Sequence, residues 1–115
     1  MDDIVLREIE SQLTVDTDLL LRMLGSSQSM GATPASSRDG KMILENAKRT
    51  LRETICADKS VKAIHATSAN AKVQLAAAIL DCIAGVVISV SPITVSVLLV
   101  KEGIDTLCKD AWLRE

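Results

Sequence analysis

Residues 81–101 read DCIAGVVISVSPITVSVLLVK, and the 19 residues between Asp81 and Lys101 carry no charge. Pro92 lies near the middle of this apolar segment. A proline lacks the backbone N–H and disfavours helical geometry at the residue before it, yet it suits the first position of a new helix. We therefore predict a helical hairpin, in which one helix ends before Ser91 and the next begins at Pro92 with Ser91 as its N-cap.

The apolar segment also fits two other structures. A helix needs about 20 residues to span the hydrocarbon core of a bilayer, so the segment suits a membrane-inserting hairpin of the toxin, immunity-protein or pore type. Pro92 and the lack of an aromatic belt at either end argue against this alternative. A β-hairpin is the third structure, because Val and Ile alternate on both sides of Pro92. Since an isolated two-stranded hairpin is marginal in water and the chain offers no comparable partner strand, helices are favoured.

The N-terminal segment predicts an amphipathic helix. Asp2 or Asp3 can cap it, and apolar residues then recur at helical spacing. Residues 14–17 are poorer helix formers and Asp16 can cap a new segment, which predicts a break there. The apolar residues of this first predicted helix are Leu6, Ile9, Leu13, Leu20 and Leu24.

A flexible loop is predicted at about residues 25–40. This stretch is rich in glycine and serine and has almost nothing to bury. Its glycine spacing does not match a phosphate-binding loop, and no lysine follows its second glycine. The sequence therefore predicts a single helical domain, residues 1–115, with one flexible loop.

The second predicted helix begins near residues 38–41 and ends at about Ala57. Beside its apolar face, four basic residues fall into one narrow stripe at 100° per residue. This stripe would suit an acidic partner, although charge pairs such as Lys41 and Glu45, four residues apart, are typical of any solvated helix. The basic stripe consists of Lys41, Lys48, Arg52 and Lys59.

The third predicted helix, which Asp58 or Ser60 would cap, extends to Val90. Its polar residues project into one narrow stripe, so that most of its surface is apolar or small. Such a helix is normally the central one of a bundle, because neighbours must cover most of its sides. The polar residues are Asn70, Gln74, Asp81, Gly85 and Ser89.

The last predicted helix begins at Pro92 and is amphipathic, with one apolar and one polar face, only from Lys101 onward. In its first two turns, Val95, Leu98 and Leu99 project onto the side that later becomes polar, which makes this part apolar all round. Exposed apolar patches of this kind usually mark an interface. We therefore predict that Val95, Leu98 and Leu99 contact a partner; in the membrane alternative they would face lipid.

The composition narrows the function further. The chain has no Phe, no Tyr and one Trp, Trp112, so it lacks the exposed aromatics on which many nucleic-acid-binding domains stack bases, and nucleic acid is not a predicted partner. The three cysteines, Cys56, Cys82 and Cys108, each lie in an apolar helical pattern without a CxxC pair. This pattern predicts reduced, buried thiols and a cytoplasmic location, with membrane association as the alternative.

Residues for catalysis are scarce. His65 is the single histidine of the chain, and Cys56, nine residues earlier, would project from the opposite side of a continuous helix. Asp81 is the one acid within an apolar run, and we interpret it as the solvent edge of the third predicted helix rather than a buried charge. No known catalytic or nucleotide-binding motif occurs. We therefore predict no enzyme, no cofactor, no metal site and no small-molecule substrate.

These features together predict an all-α fold. The predicted architecture is a small four-helix, mostly antiparallel bundle with an apolar C-terminal helical hairpin broken at Pro92. The predicted function is that of a helical protein–protein interaction or oligomerisation module, which buries an apolar helix face against a partner or against itself. The expected partner is a protein or a second copy of the chain, and a membrane is the alternative.

Overall fold

The computed structural model describes residues 3–26, 37–67, 71–85 and 91–113. Within these ranges the chain is all-helical, as predicted, and has no strand. No helix among them is both long enough and apolar enough to cross a bilayer. Residues 86–90 of the predicted hairpin and residues 27–36 of the predicted loop lie outside the described parts. The seven described helices are α1 (Asp3–Leu13), α2 (Thr17–Ser26), α3 (Ser37–Ala57), α4 (Lys59–Thr67), α5 (Lys72–Ile83), α6 (Pro92–Glu102) and α7 (Ile104–Leu113).

The described residues form seven helices rather than four because three of the predicted helices are each divided in two. The first is divided at residues 14–16, where the sequence predicts a break, and the Thr14 N–H donates to the Ser11 carbonyl at 3.2 Å. The third predicted helix does begin at an Asp58 cap, whose Oδ1 accepts the Val61 N–H at 3.0 Å. It is divided in two, because the backbone of Ala71 is non-helical, with φ −86° and ψ 61°, and α5 begins at the next residue. Its predicted end at Val90 lies outside the described residues.

Gly103 divides the last predicted helix into α6 and α7. Its φ of 106° lies in a region that side chains rarely adopt, and its N–H donates to the Leu99 carbonyl at 3.1 Å. At the other end of α6, Ser91 is the N-cap, since its Oγ accepts the Thr94 N–H at 3.4 Å, and Pro92 occupies the first turn. The start of α6 is therefore as predicted, whereas its end was not foreseen.

Helix α6 is the most deeply buried of the described helices. Helices α1, α2, α5 and α7 all pack against it, and its residues 94–100 are buried without exception. Val95 and Leu98 are fully buried and Leu99 is 1% exposed. Val95, Leu98 and Leu99, which we call the apolar collar of α6, are thus covered by the chain's own helices, which corrects the expectation that they offer a free surface to a partner.

Helix α5 packs against α1, α3, α4 and α6 and keeps one narrow side in solvent, as its polar stripe predicts. Gln74 and Asp81 are exposed, so the polar stripe faces solvent, while Asn70 and Ser89 lie outside the described residues. A helix that carries Lys72, Gln74 and Asp81 must keep one side in water, whereas α6 has only Thr and Ser as polar residues before Lys101. The buried residues of α5 are Leu75, Ala76, Ile79 and Ile83.

Polar side chains fix α6 against α1. The Thr94 hydroxyl donates to Gln12 Oε1 at 2.9 Å in the buried interface, and Gln12 Nε2 donates to Glu8 at 2.8 Å. Lys101 Nζ donates to the carbonyl oxygens of Leu13 at 3.1 Å and Val15 at 2.8 Å. The last carbonyls of a helix lack intrahelical partners, so Lys101 satisfies the end of α1 and sets the position of α6 along it.

A disulfide joins Cys56 in α3 to Cys108 in α7. The prediction of three reduced cysteines is therefore wrong for two of them, although both are buried as expected. Since disulfides persist mainly in oxidising compartments, the cysteines no longer argue for a cytoplasmic location. Close by, Trp112 Nε1 donates to the Cys56 carbonyl at 3.0 Å, so α7 is attached to the end of α3 by a covalent bond and a hydrogen bond.

Helices α2 and α3 approach each other closely at Gly40. A Cβ atom on Gly40 would overlap with the backbone carbonyl group of Leu21. The apolar face predicted for the second helix is buried in α3, and it packs against α2 in a shared core. The buried residues here are Leu20, Leu21, Leu24, Leu44, Ala47, Leu51 and Ile55.

We expect Gly40→Ala to lower the free energy of unfolding by about 2–3 kcal/mol, because overpacking forces the α2 and α3 backbones apart. The measurement is urea denaturation followed by circular dichroism. The matched control is Gly85→Ala, where a Cβ would meet nothing within 4 Å. That variant is expected to stay within about 0.5 kcal/mol of the parent. Equal stabilities of the two variants would contradict the close approach at Gly40.

Candidate functional site

A groove of about 410 Å³ lies between α1, α4 and α5; we call it the α4–α5 groove. Its apolar residues are half-buried, and three of its polar residues are exposed at its edge. The groove therefore has an apolar floor and a polar rim. The lining residues are Leu6, Asp58, Ser60, Ile64, Gln74, Ala77, Ala78, Asp81 and Cys82.

The local sequence explains why a groove forms here. The Asp58 cap starts α4 directly after α3 ends, and Ser60 and Ile64, four residues apart, then lie on one side of α4. On α5 the facing positions are Ala77 and Ala78, which are too small to fill the space between the helices. Alanine is the best helix former, so α5 keeps its geometry without filling the groove.

The groove is acidic. Among its lining residues are two carboxylates, those of Asp58 and Asp81, and no Lys or Arg. Asp81 is exposed, which confirms its interpretation as the solvent edge of a helix. Asp58 is half-buried and uses Oδ1 to cap α4. A negative potential at the mouth of an apolar groove attracts cationic ligands and repels anionic ones.

Cys82 is a free, half-buried thiol that lines this groove. Its S–H donates to the Thr54 carbonyl at 3.3 Å. Burial, together with the negative charge of Asp58, raises the pKa of Cys82 to about 11. Because the thiolate is the reactive form, Cys82 is a poor nucleophile near neutral pH.

We expect alkylation of Cys82 by iodoacetamide to be roughly a hundredfold slower than that of a small thiol at pH 7.5, because its pKa is about two units higher. The rate should continue to rise with pH beyond 9 and level off only near 11, as long as the fold persists. Mass spectrometry of the native protein over a pH series measures this rate. In denaturant, the same thiol should react at the ordinary rate. A native rate that levels off near pH 9 would show that burial and Asp58 do not affect the thiol.

The basic stripe is divided in the structure. Lys41, Arg52 and Lys59 are exposed, but Lys59 belongs to α4 rather than to the same helix. Lys48 is 15% exposed and forms ion pairs with Glu45, at 3.1 Å, and with Glu102. Burial opposes the charge of Lys48, but the hydrogen bonds and charges of Glu102 and Glu45 outweigh it and raise the pKa of this lysine. Lys48 thus links α3 to α6, and an acidic-partner surface at Lys41, Arg52 and Lys59 stays a prediction.

His65 contacts Trp112 instead of a cysteine. The two ring centroids lie 5.1 Å apart with the planes tilted by 47°. Cys56 and Cys108 are bonded to each other, so neither thiol is available to pair with this histidine. Within the described parts of the chain, no group of three His, Cys, Asp or Glu residues is placed to hold a metal ion.

No family model, curated protein or solved structure matches the chain. The candidate site therefore depends on geometry alone, and sequence reasoning did not find it. Leu6 lies far in the sequence from Ile64 and Ala77, which belong to two successive helices, and no periodicity shows that the three residues meet. Two signals were available in the sequence. Asp58 can cap a new helix, and the three alanines at residues 76–78 predict a later helical stretch with short side chains.

Proposed function

We propose that the protein is a helical interaction module that binds a protein partner in the α4–α5 groove. The observation that carries this proposal is the apolar floor left uncovered between three helices. Apolar floors with polar rims are typical of surfaces that accept a partner, because the floor supplies free energy on burial and the rim supplies specificity. The groove thus takes the role that the sequence suggested for the apolar collar of α6.

Several features support a non-enzymatic role. Cys82 has a raised pKa, His65 contacts the ring of Trp112, and neither is placed as an activated nucleophile or general base. The membrane-inserting alternative receives no comparable support, since Leu98 and Leu99, which would face lipid, pack inside the chain. A surface for another protein is the function that remains best supported by the described residues.

The test is a selection of helical peptides from a display library against the immobilised protein. Binding of the enriched peptides is then measured against a blocked variant, Ser60→Arg with Gln74→Arg. Both residues are exposed, so the added side chains can extend across the groove without disturbing the core. The matched control is Asn46→Arg with Thr50→Arg, which adds the same charge on the exposed face of α3.

We expect the blocked variant to weaken binding at least about tenfold, and the control variant to leave it unchanged. Circular dichroism should show the same helix content for both variants. Enriched peptides that bind the blocked variant as well as the parent would contradict the proposal. A selection that enriches no peptide would contradict it too.

A further inference from the structure

We propose that the partner segment is an amphipathic α-helix that carries lysine or arginine beside its apolar face, an inference that rests on the function proposed above. The first argument is the shape of the groove. Helices α4 and α5 form its two walls, α1 contributes Leu6, and α5 presents two alanines to the groove. Small residues let a bound helix approach closely, as in other cases where a helix binds in a groove between helices.

The length of the walls sets the length of the partner segment. Helix α4 has 9 residues and α5 has 12. At a rise of 1.5 Å per residue these walls are about 13 and 18 Å long, which accommodates roughly three turns of a bound helix. Apolar residues at positions i, i+3, i+4 and i+7 of that helix would face Leu6, Ile64 and Ala77.

The second argument is charge. Asp58 and Asp81 lie at the groove without a cation among the lining residues. A bound helix would bring its own charges close to both carboxylates, in a site partly shielded from water. Lysine or arginine at its edge would be attracted and glutamate or aspartate repelled. The same two carboxylates disfavour nucleic acid and anionic lipid as occupants, because both present phosphate groups.

Ser60 and Gln74 complete the recognition surface. Both are exposed, neutral and able to donate or accept hydrogen bonds. They therefore do not select for charge, and the discrimination between basic and acidic helices depends on the carboxylates of Asp58 and Asp81. Removal of the two negative charges should abolish the preference for a basic helix but leave apolar binding intact.

The test uses three synthetic amphipathic peptides of about 18 residues that share one apolar face and differ at two flanking positions. These positions are lysine, glutamine or glutamate. Fluorescence anisotropy measures their binding at low salt to the parent protein and to Asp58→Asn with Asp81→Asn. Asparagine is also a good N-cap, so Asp58→Asn keeps the start of α4. The matched control is Glu53→Gln with Asp110→Asn, which removes one exposed acid from α3 and one from α7.

We expect the lysine peptide to bind the parent roughly three- to tenfold more tightly than the glutamine peptide, and the glutamate peptide to bind most weakly. This order should disappear in Asp58→Asn with Asp81→Asn and persist in the control. Added salt should reduce the preference. The bound lysine peptide should also slow alkylation of Cys82 at about pH 9, where the lysine side chains are still charged, because that thiol lines the groove.

The outcomes separate this inference from the proposed function. If the three peptides bind equally and the Ser60→Arg, Gln74→Arg variant blocks them all, the groove is an interaction surface and the basic-helix inference is wrong. If peptides bind but the blocked variant has no effect, both proposals are wrong. A protein that dimerises on its own, and is dispersed to a monomer by the blocked variant, has a second copy as its occupant and overturns the inference.

Discussion

Loss of the Cys56–Cys108 disulfide is expected to lower the free energy of unfolding by about 4 kcal/mol. The bond closes a loop between residues 52 positions apart. In the chain-entropy account, a cross-link over a loop of this length removes about 14 cal/mol/K from the unfolded ensemble, which gives the expected value at 25 °C. Most small domains have a total stability of only about 5–15 kcal/mol, so this one bond carries a large share.

Urea denaturation with and without a reductant measures the effect, and Cys56→Ala with Cys108→Ala should reproduce it. Trp112 is the single tryptophan of the chain, and its indole donates to the Cys56 carbonyl, so its fluorescence reports the docking of α7 on α3. The control is Cys82→Ala, which removes a thiol outside the bond and is expected to respond to reductant as the parent does. Thiol titration of the unreduced protein in denaturant should count one free thiol. A count of three would contradict the disulfide.

The disulfide also illustrates what a single sequence could not predict. The three cysteines lie in apolar helical patterns, and such patterns do not distinguish a buried thiol from a buried disulfide. The pairing depends on the packing of the end of α3 against α7, which in turn depends on the turn at Gly103. That glycine occupies a single position between two helical segments, so periodicity continues across it almost undisturbed.

Local signals, by contrast, were predictive. Ser91, Pro92 and Asp58 act at helix ends, where the hydrogen bond that a cap makes is determined within three or four residues of sequence. The break at residues 14–16 followed from the same local chemistry. These ends are set by neighbours along the chain, whereas the helices that cover α6 are determined by tertiary contacts.

For the apolar collar, the sequence pattern correctly indicated burial, but the prediction that a partner covers these residues was wrong. The sequence shows correctly that Val95, Leu98 and Leu99 must be covered. It does not show by what, because a helix surrounded within its own chain and a helix covered by a partner have the same pattern. The groove was missed for the opposite reason, since its alanines and its half-buried Leu6 and Ile64 do not form an apolar patch in the sequence.

Leu98→Asp together with Leu99→Asp distinguishes these two meanings of the collar, and we expect this variant to unfold. Both side chains are buried in α6 beneath the helices that pack on it. An ionised carboxylate without a partner is far too costly to bury, so the chain must unfold or rearrange to hydrate it. The milder Leu98→Ala is expected to stay folded but to lose about 3 kcal/mol, through lost apolar burial and the cavity left behind.

The matched control for this variant is Leu19→Asp with Leu113→Asp, because these leucines are 51% and 74% exposed. The control should keep its helical circular dichroism and its thermal transition to within a few degrees of the parent. If the collar were instead an interface, Leu98→Asp with Leu99→Asp would remain helical, and light scattering would show only a change in mass. A folded monomer of Leu98→Asp with Leu99→Asp would therefore show that Val95, Leu98 and Leu99 contact a partner. Loss of helix content in this variant, but not in the control, would assign these residues to the interior of the chain.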